Sequence, residues 1–309
     1  MKKPKLVAIL GPTAAGKTSL ALDLALKFHG EIISADSVQV YRGMDVGTAK
    51  PSAEQRRLVS HHLIDILDPD QEYSAAVFRA QADEIILRLH QPQIPTFVTG
   101  GTGLYMKVLT RGLFRGPGAD PKLRATLYRR SEIEGDKVLH QELSRLDPEA
   151  ASRIHPHDIF RIIRALEVWA VARKPISYFQ REHRFQESPY EVLKIGLYCE
   201  RDELYRRIES RAEGMLEMGW VEEVQSLLNR GYSPKLKSML SLGYKRIVSY
   251  LLGEIELAQT VEMIIRDTRR YAKRQITWFK SDPEIHWFPA DQNRGREIEA
   301  MIMDFFNHC

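Results

Sequence analysis

Residues 5–10, Lys-Leu-Val-Ala-Ile-Leu, are almost wholly apolar and run straight into Gly11-Pro12, which predicts a short buried strand. Over 19–28 the spacing of apolar positions changes. Leu20, Leu22, Leu24, Ala25 and Phe28 are dense enough for a packed helix. Further strands are expected at 31–34, 62–66, 95–99 and 192–198, with a helical pattern over 75–89 between two of them. Strands alternating with helices predict an α/β fold on an open, mostly parallel sheet. From about Asp120 to Pro189 the alternation stops. Helices are expected there near 121–130, 136–146, 148–154 and 159–172, with no convincing strand. Gly116-Pro117-Gly118 in front and Glu187-Ser188-Pro189 behind read as joints. The expected organisation is a sheet domain in two parts, 1–118 and 190–309, interrupted by an all-helical insertion at 119–189. In the second part Asp202 is expected to cap a long helix that ends before Gly231. Helix then continues to about Lys280, followed by an irregular end.

At 309 residues the chain can bury a substantial core, and 43% hydrophobic with 28% charged residues is the balance of a globular protein. A net charge of +4 leans basic without demanding a nucleic-acid partner, so the placement of the charges decides. Two cysteines, Cys199 and Cys309, make neither a disulfide framework nor an all-cysteine zinc site, and a cytoplasmic location fits them. The apolar run after Met1-Lys2-Lys3-Pro4 is too short for a signal peptide, and no stretch approaches the length of a membrane span. No feature calls for an obligate protein partner. Neither His61-His62 nor the pair His155 and His157 has a third ligand at a recognisable spacing, and Asp158 suits a helix cap.

Candidate chemistry begins where the first strand ends. Gly11, Pro12, Thr13, Ala14, Ala15, Gly16, Lys17 and Thr18 form a complete phosphate-binding loop between a strand and a helix. The glycines let backbone N–H groups curl around an anion, and the helix start adds its partial positive charge. Lys17 supplies a mobile charge for the outer phosphates, and the Thr18 hydroxyl suits Mg²⁺. The fold expected is thus a parallel sheet of the P-loop NTPase type, holding a diphosphate or triphosphate. Asp36 follows the second strand, where ligand groups of open parallel sheets gather, and can serve as general base or water-mediated Mg²⁺ ligand. A turn residue bonding its own backbone is the alternative. The glycine-rich run 99–105 closes another strand and is either a tight turn or part of the same site. No apolar strand ends in Asp and no Asn-Lys-x-Asp occurs, which argues against a plain GTPase. Arg266, Arg269, Arg270, Lys273 and Arg274 share one helix face with aromatic neighbours, suiting either a phosphate backbone or a merely solvated face. Arg161 with Arg164 and Arg207 with Arg211 lie one turn apart and are equally open.

Together these segments resemble the bacterial tRNA dimethylallyltransferases, also called tRNA isopentenyltransferases, over nearly the whole chain. The resemblance rests on the loop 11–18, the blocks 36–51, 61–69, 73–79 and 100–105, then 161–168, 242–245 and 272–279. The block 36–51 is far more specific than the loop. Such a resemblance implies transfer of a dimethylallyl group from dimethylallyl diphosphate to the exocyclic N6 of an adenosine beside the tRNA anticodon. It implies that the loop holds the donor's diphosphate rather than ATP, that Asp36 is the base, that Thr102 bonds near the reacting centre, and that Lys17 and Arg211 help hold the diphosphate. Mg²⁺ is the cofactor expected, from diphosphate chemistry and Thr18. Contacts to the tRNA anticodon stem-loop would come from Asp36, Ser37, Val38, Gln39 and Thr102, and from Arg124, Phe160, Arg161, Ile162, Ile163 and Arg164 of the insertion. Leu240, Ser241, Leu242, Gly243, Tyr244 and Lys245 would join them, with Arg269, Arg270, Lys273 and Arg274 of the basic helix. Lys245 stands where the family often has Arg, which weakens a bidentate role. An ATP-dependent small-molecule or nucleotide kinase on the same loop is the competing expectation, because the fold supports both. It leaves the insertion and the basic helix without a task.

Overall fold

The computed structural model describes residues 3–114, 116–183, 187–290 and 295–307; Cys309 lies outside them. The described chain falls into two compact units, Met1–Thr110 with Pro189–Cys309, and Arg111–Ser188. In the first unit six parallel strands stand in the order β3-β2-β4-β1-β5-β6. They are β1 (Lys5–Leu10), β2 (Glu31–Ser34), β3 (His61–His62), β4 (Thr96–Thr99), β5 (Glu191–Tyr198) and β6 (Ile285–Pro289). β1 lies between β4 and β5, with Val7 opposite both Phe97 and Leu193. A strand covered on both faces has no reason to alternate, and positions 6–10 of β1 are all buried.

Helices α1 (Lys17–Lys27), α2 (Ala53–Leu58), α3 (Ala75–His90) and α4 (Gly103–Arg111) connect the first strands. In the second unit α5 (Pro121–Glu134), α6 (Asp136–Leu146), α7 (Pro148–Arg153), α8 (Ile159–Ala172) and α9 (Ile176–His183) pack on one another, with no strand among the described residues. Their starts are written locally. Asp120 and Asp147 cap helices whose first residue is proline, and Asp158 accepts from the Arg161 N–H. The buried Asp147 also accepts from the Ser177 N–H, tying α7 to α9. After β5 come α10 (Arg201–Glu217), α11 (Trp220–Asn229), α12 (Tyr244–Leu251), α13 (Leu257–Lys280) and, past β6, α14 (Gly295–Asn307).

Three expectations are corrected. The strand expected at 62–66 stops at His62, because Leu63 and Asp65 take left-handed backbone (φ 62° and 56°) and leave the ladder. The long helix expected to run to Gly231 breaks at Gly219 (φ 90°), giving α10 and α11, and its N-cap is Glu200 rather than Asp202. The irregular end instead forms β6 and α14. Only Ile285 and Phe288 of that five-residue edge strand are buried, too few for a clear strand pattern. Ile298 and Ile302 of α14 join Val7, Phe97 and Ile195 in the core beside the sheet. No helix among the described residues is long and apolar enough to cross a membrane.

Candidate active site

The carboxyl ends of β1, β2, β4 and β5 carry the loops that face one another across the first unit. After β1 the chain turns sharply at Gly11 (φ 138°), where a Cβ would sit 2.5 Å from the Leu197 carbonyl oxygen. Only glycine permits that turn against β5. Gly16 (φ 84°) starts α1 in left-handed backbone, and no side chain caps that start. Its first N–H groups are therefore the open donors that an anion satisfies. Ala14 (φ 63°) is likewise left-handed, a strained conformation that the loop imposes. The Thr13 N–H donates to Gln275 Oε1 (2.8 Å), and Gln275 Nε2 donates to the Gly101 carbonyl (2.9 Å). Gln275 of α13 thus fixes the phosphate loop to the glycine run after β4.

A cavity of about 570 Å³ opens above these loops. Thr13, Lys17, Thr18, Asp36, Ser37, Val38, Gln39, Arg211, Arg270, Arg274 and the stretch Leu240 to Lys245 all line it. Gly11, Pro12, Ala14, Ala15 and Gly16 shape the loop without lining the cavity. Lys17 Nζ donates to the Pro12 carbonyl at 2.7 Å. Burial, then the positive charge of Arg211, lowers its pKa to about 7, against the opposing pull of Asp36 and Cys199. Burial also lowers Arg211, and Asp36 again opposes. The cations lining the cleft, Lys17, Arg211, Lys245, Arg246, Arg270 and Arg274, outnumber the carboxylates Asp36 and Asp267, an excess of positive charge that a dianion would relieve.

Asp36 uses one carboxylate oxygen in its own turn. Oδ1 accepts from the N–H groups of Val38 (2.8 Å) and Gln39 (3.2 Å), so it does hold its own turn. Oδ2 has no hydrogen-bond partner among the described residues and remains available to a substrate. Thr102 does not line the cavity. Its Oγ1 accepts from the Ser37 N–H (3.2 Å) and reaches the Ser37 hydroxyl (3.5 Å), which ties it to the residue after Asp36.

Two further groups escaped the sequence pattern. The Glu223 carboxylate of α11 accepts from the N–H groups of Asp45, Val46 and Gly47 and from the Tyr244 hydroxyl (2.6 Å). One side chain therefore joins the two loops 45–47 and 240–245. Lys50, with 1% of its side chain exposed, donates to Asp45, Asp65 and the Tyr41 carbonyl, fixing the far end of the same block. Glu223 has no local signal, because its partners come from elsewhere in the chain; Lys50 meets Asp45 and Tyr41 of its own block, and Asp65 from the next one.

The basic helix α13 divides by orientation. Arg270 and Arg274 face the cavity, together with Tyr271; Arg270 lies 3.9 Å from Asp267 and Arg274 5.8 Å over the Tyr271 ring. Arg269 instead pairs with Glu209 (3.1 Å) and lies 4.8 Å over the Tyr205 ring. Arg266 pairs with Asp267, and Lys273 is exposed away from the cavity. Arg207 binds Glu203 and the Ala290 carbonyl, which leaves Arg211 to face the cavity alone of that pair. In the helical unit, Arg124 forms a two-point pair with Glu167 (2.8 and 3.0 Å), and Arg164 donates to the same carboxylate (2.5 Å). Burial pushes Glu167 up, but these donors and the Asp120 N–H outweigh it and hold the carboxyl below its usual range. Ile162 and Ile163 are core residues at 0% and 2% exposure, so the direct contacts expected of them are not available; Phe160 and Arg161 are exposed. Tyr244 is buried too, and only its edge of the cavity wall is presented.

His62 Nε2 lies 2.6 Å from Glu31, and His61 Nδ1 lies 2.8 Å from the Val59 carbonyl. Among the described residues no group of three or more His, Cys, Asp or Glu side chains is placed to hold a metal ion. Among the oxygen-bearing side chains that line the cavity are the Thr18 hydroxyl and the Asp36 carboxylate.

A parallel sheet with a glycine phosphate loop at the end of a central strand, and a buried lysine, an arginine and a carboxylate in one cleft, defines an enzyme class. It is a phosphate-loop group-transfer enzyme. The family model described as IPP transferase matches residues 39–282, and the chain belongs to that family. A tRNA dimethylallyltransferase of Geobacter sulfurreducens is 50% identical over 98% of this chain and 97% of its own length. A tRNA dimethylallyltransferase 2 of Geotalea uraniireducens is 53% identical, covering 98% of each. Among solved structures, a tRNA isopentenylpyrophosphate transferase from Bacillus halodurans superposes with a TM-score of 0.73 at 40% identity, covering 98% of this chain and 97% of that one. A eukaryotic dimethylallyltransferase, described as acting on tRNA, gives 0.83 at 27% identity, with coverage of 97% and 79%.

Proposed function

We infer that this protein transfers a dimethylallyl group from dimethylallyl diphosphate to N6 of a tRNA adenosine, and we place that adenosine beside the anticodon. The observation that carries this reading is one cavity lined by Lys17 and Arg211 on one side, the free Oδ2 face of Asp36 on another, and Arg270, Arg274 and Lys245 around it. An allylic diphosphate ionises readily, because the carbon cation left behind is delocalised. The C1–O bond breaks and its electron pair leaves with the diphosphate, whose charge Lys17, Arg211 and the loop N–H groups neutralise. The lone pair on N6 forms the C1–N bond. An adenine amino group is a poor nucleophile while its lone pair is shared with the ring, so Asp36 takes the N6 proton as the bond forms. A stacked base does not reach such a cleft and has to be turned out of its stack. Mg²⁺, when bound, would add charge neutralisation on the diphosphate, held by the Thr18 hydroxyl and mainly by the diphosphate's own oxygens. Ser37, held by Thr102, and Val38 and Gln39, held by Asp36, would border the flipped base.

Incubation with labelled dimethylallyl diphosphate and unmodified tRNA, without ATP, is expected to put label into RNA. No label in RNA, together with ATP-dependent phosphorylation of a small molecule, would restore the kinase reading, which the relatives do not support.

The orientation of α13 yields a second expectation. Removing the charge of Arg270 or Arg274 by alanine should weaken tRNA binding and flatten the slope of log affinity against log salt by about 0.7–0.9 per residue. Arg269→Ala should lower thermal stability and leave that slope unchanged, because Arg269 is spent on Glu209 and Tyr205. Equal slopes for wild type, Arg270→Ala and Arg274→Ala, measured by filter binding across a salt series, would return this face to solvent.

A further inference from the structure

Two segments of the cleft wall, Gly47 with Thr48 and the run from Leu240 to Tyr244, are held by a helix that does not line the cleft itself. That helix is α11, through Trp220 and Glu223. Both carboxylate oxygens of Glu223 are in use. Oε2 accepts from the N–H groups of Asp45 and Val46 (2.7 Å each), and Oε1 accepts from the Gly47 N–H (3.3 Å) and the Tyr244 hydroxyl (2.6 Å). Burial, then the Glu223 charge, pushes the Tyr244 hydroxyl well above its usual range, so it stays protonated and donates. One turn earlier on α11, Trp220 fills the space between the same two segments. A Cβ on Gly47 would sit 2.0 Å from its Nε1, and one on Gly243 would sit 2.0 Å from its Cη2. The connection continues to Asp36. Gln39 Nε2 donates to the Thr48 carbonyl (3.2 Å), and the Gln39 N–H donates to Asp36 Oδ1 (3.2 Å). We propose that Glu223 is a positioning residue for the acceptor, holding the two wall segments at the separation that admits a flipped purine and aligning them with Asp36. The proposal rests on the prenyl-transfer reading and deepens it by assigning base docking to a side chain outside the cleft.

The junction requires an ionised acid. N–H and O–H groups converge on both of its oxygens, and a carboxylate accepts at each. A glutamate in the first turn of a helix also eases the positive end of the helix dipole, which is the purely local reason for acid at this place. Glu222 stands beside it in the same turn, is exposed, and makes none of these bonds. In Glu223→Gln one oxygen becomes an NH₂ group, which faces two donors instead of accepting from them. One pair of contacts is then lost, either Asp45 with Val46 or Gly47 with Tyr244. The phosphate loop is fixed by other groups, Gln275 and the Gly11 turn, which this substitution does not touch. Arg270 and Arg274 also keep their places at the cavity. The defect should therefore fall on docking of the base rather than on capture of the donor or of the tRNA backbone.

Rate, affinity and base docking, measured on the full-length protein, test this. Glu223→Gln is expected to lower the single-turnover rate at saturating tRNA at least about tenfold. Its tRNA affinity should stay within about threefold of wild type, because the phosphate contacts remain. The inhibition constant of inorganic diphosphate should change less than about twofold. An anticodon stem-loop carrying 2-aminopurine at the target position reports docking directly, since that base fluoresces once it leaves the stack. Wild type and Asp36→Asn should both raise its fluorescence, whereas Glu223→Gln should lose at least about half of the rise. Glu222→Gln, which removes the neighbouring first-turn charge, should match wild type throughout. If Glu223→Gln fails to fold, Tyr244→Phe removes one donor alone and should lower the rate at least about threefold with the same pattern. A Glu223→Gln rate within about threefold of wild type overturns the proposal. So does a rate loss with the fluorescence rise intact, a loss matched by Glu222→Gln, or one that moves in step with diphosphate inhibition. Where only Tyr244→Phe folds, an unchanged rate in it does the same. Wild-type protein that transfers nothing to tRNA overturns the prenyl-transfer reading itself, and this proposal with it.

Discussion

Asp36→Asn lowers the single-turnover rate of transfer by about 10²–10⁴-fold, the usual worth of a general base, while tRNA affinity stays within about threefold of wild type. The choice of asparagine follows from the geometry. Oδ1 of Asp36 accepts from the Val38 and Gln39 N–H groups and holds the turn that borders the cavity. Asparagine retains that acceptor and loses only the ability to take a proton. Alanine loses both, so Asp36→Ala should match the rate defect and weaken tRNA binding as well. The comparison separates chemistry from architecture. A turnover rate in Asp36→Asn within about threefold of wild type would remove Asp36 from the proton transfer and leave it a turn residue. Thr102→Val, which lets go of Ser37, should move in the same direction with a smaller loss, as expected of a residue that acts through its neighbour.

The second large effect belongs to Lys17. Alanine there should slow transfer by about 10²–10³-fold, the scale seen when a preorganised group that stabilises leaving-group charge is removed. The pH dependence is more diagnostic. Burial and Arg211 hold the free protein's Lys17 at about 7. Bound diphosphate favours the charged amine and raises that value. Below pH 7 the amine is already charged, so donor affinity should be level. Above 7 binding has to take up a proton, and affinity should fall by up to tenfold per pH unit until the pKa of the bound state is reached. Calorimetry in buffers of different ionisation enthalpy should find close to one proton taken up at pH 8.5 and close to none at pH 6. Uptake that persists in Lys17→Ala would assign the proton to another group. The same shift affects folding. With its folded pKa below its unfolded value, charged Lys17 is a cost to the unliganded fold, fully present below about 7 and relieved as pH rises toward 10.5.

Much of this site is written in consecutive residues. The strand, glycine loop and helix start at 5–18 need no distant partner to be read, since each turn and donor comes from its own segment. The helices of 121–172 are similarly plain, because capping aspartates and prolines mark their starts. Asp36 was readable as a candidate through its position after a strand and through the resemblance, whereas the hydrogen bonds that tie its Oδ1 into the turn were not. The orientation of charged residues was not readable. Arg269 and Arg270 are neighbours on one helix, yet one meets Glu209 and the other faces the cavity. Arg124 and Arg164 look like free surface charge until Glu167 is seen between them.

By itself, then, the sequence determined an α/β sheet domain with a phosphate loop, a run of helices within it, and a carboxylate at a strand end. Local spacing and backbone preference suffice for those. Only the tertiary structure decided which cations face the cavity, that Gln275 reaches Thr13 from 262 positions away, and that Glu223 clasps two loops of the cleft. Those features depend on groups far apart in the chain meeting at low solvent exposure, where a missing partner is costly, and no local pattern records which partner arrives.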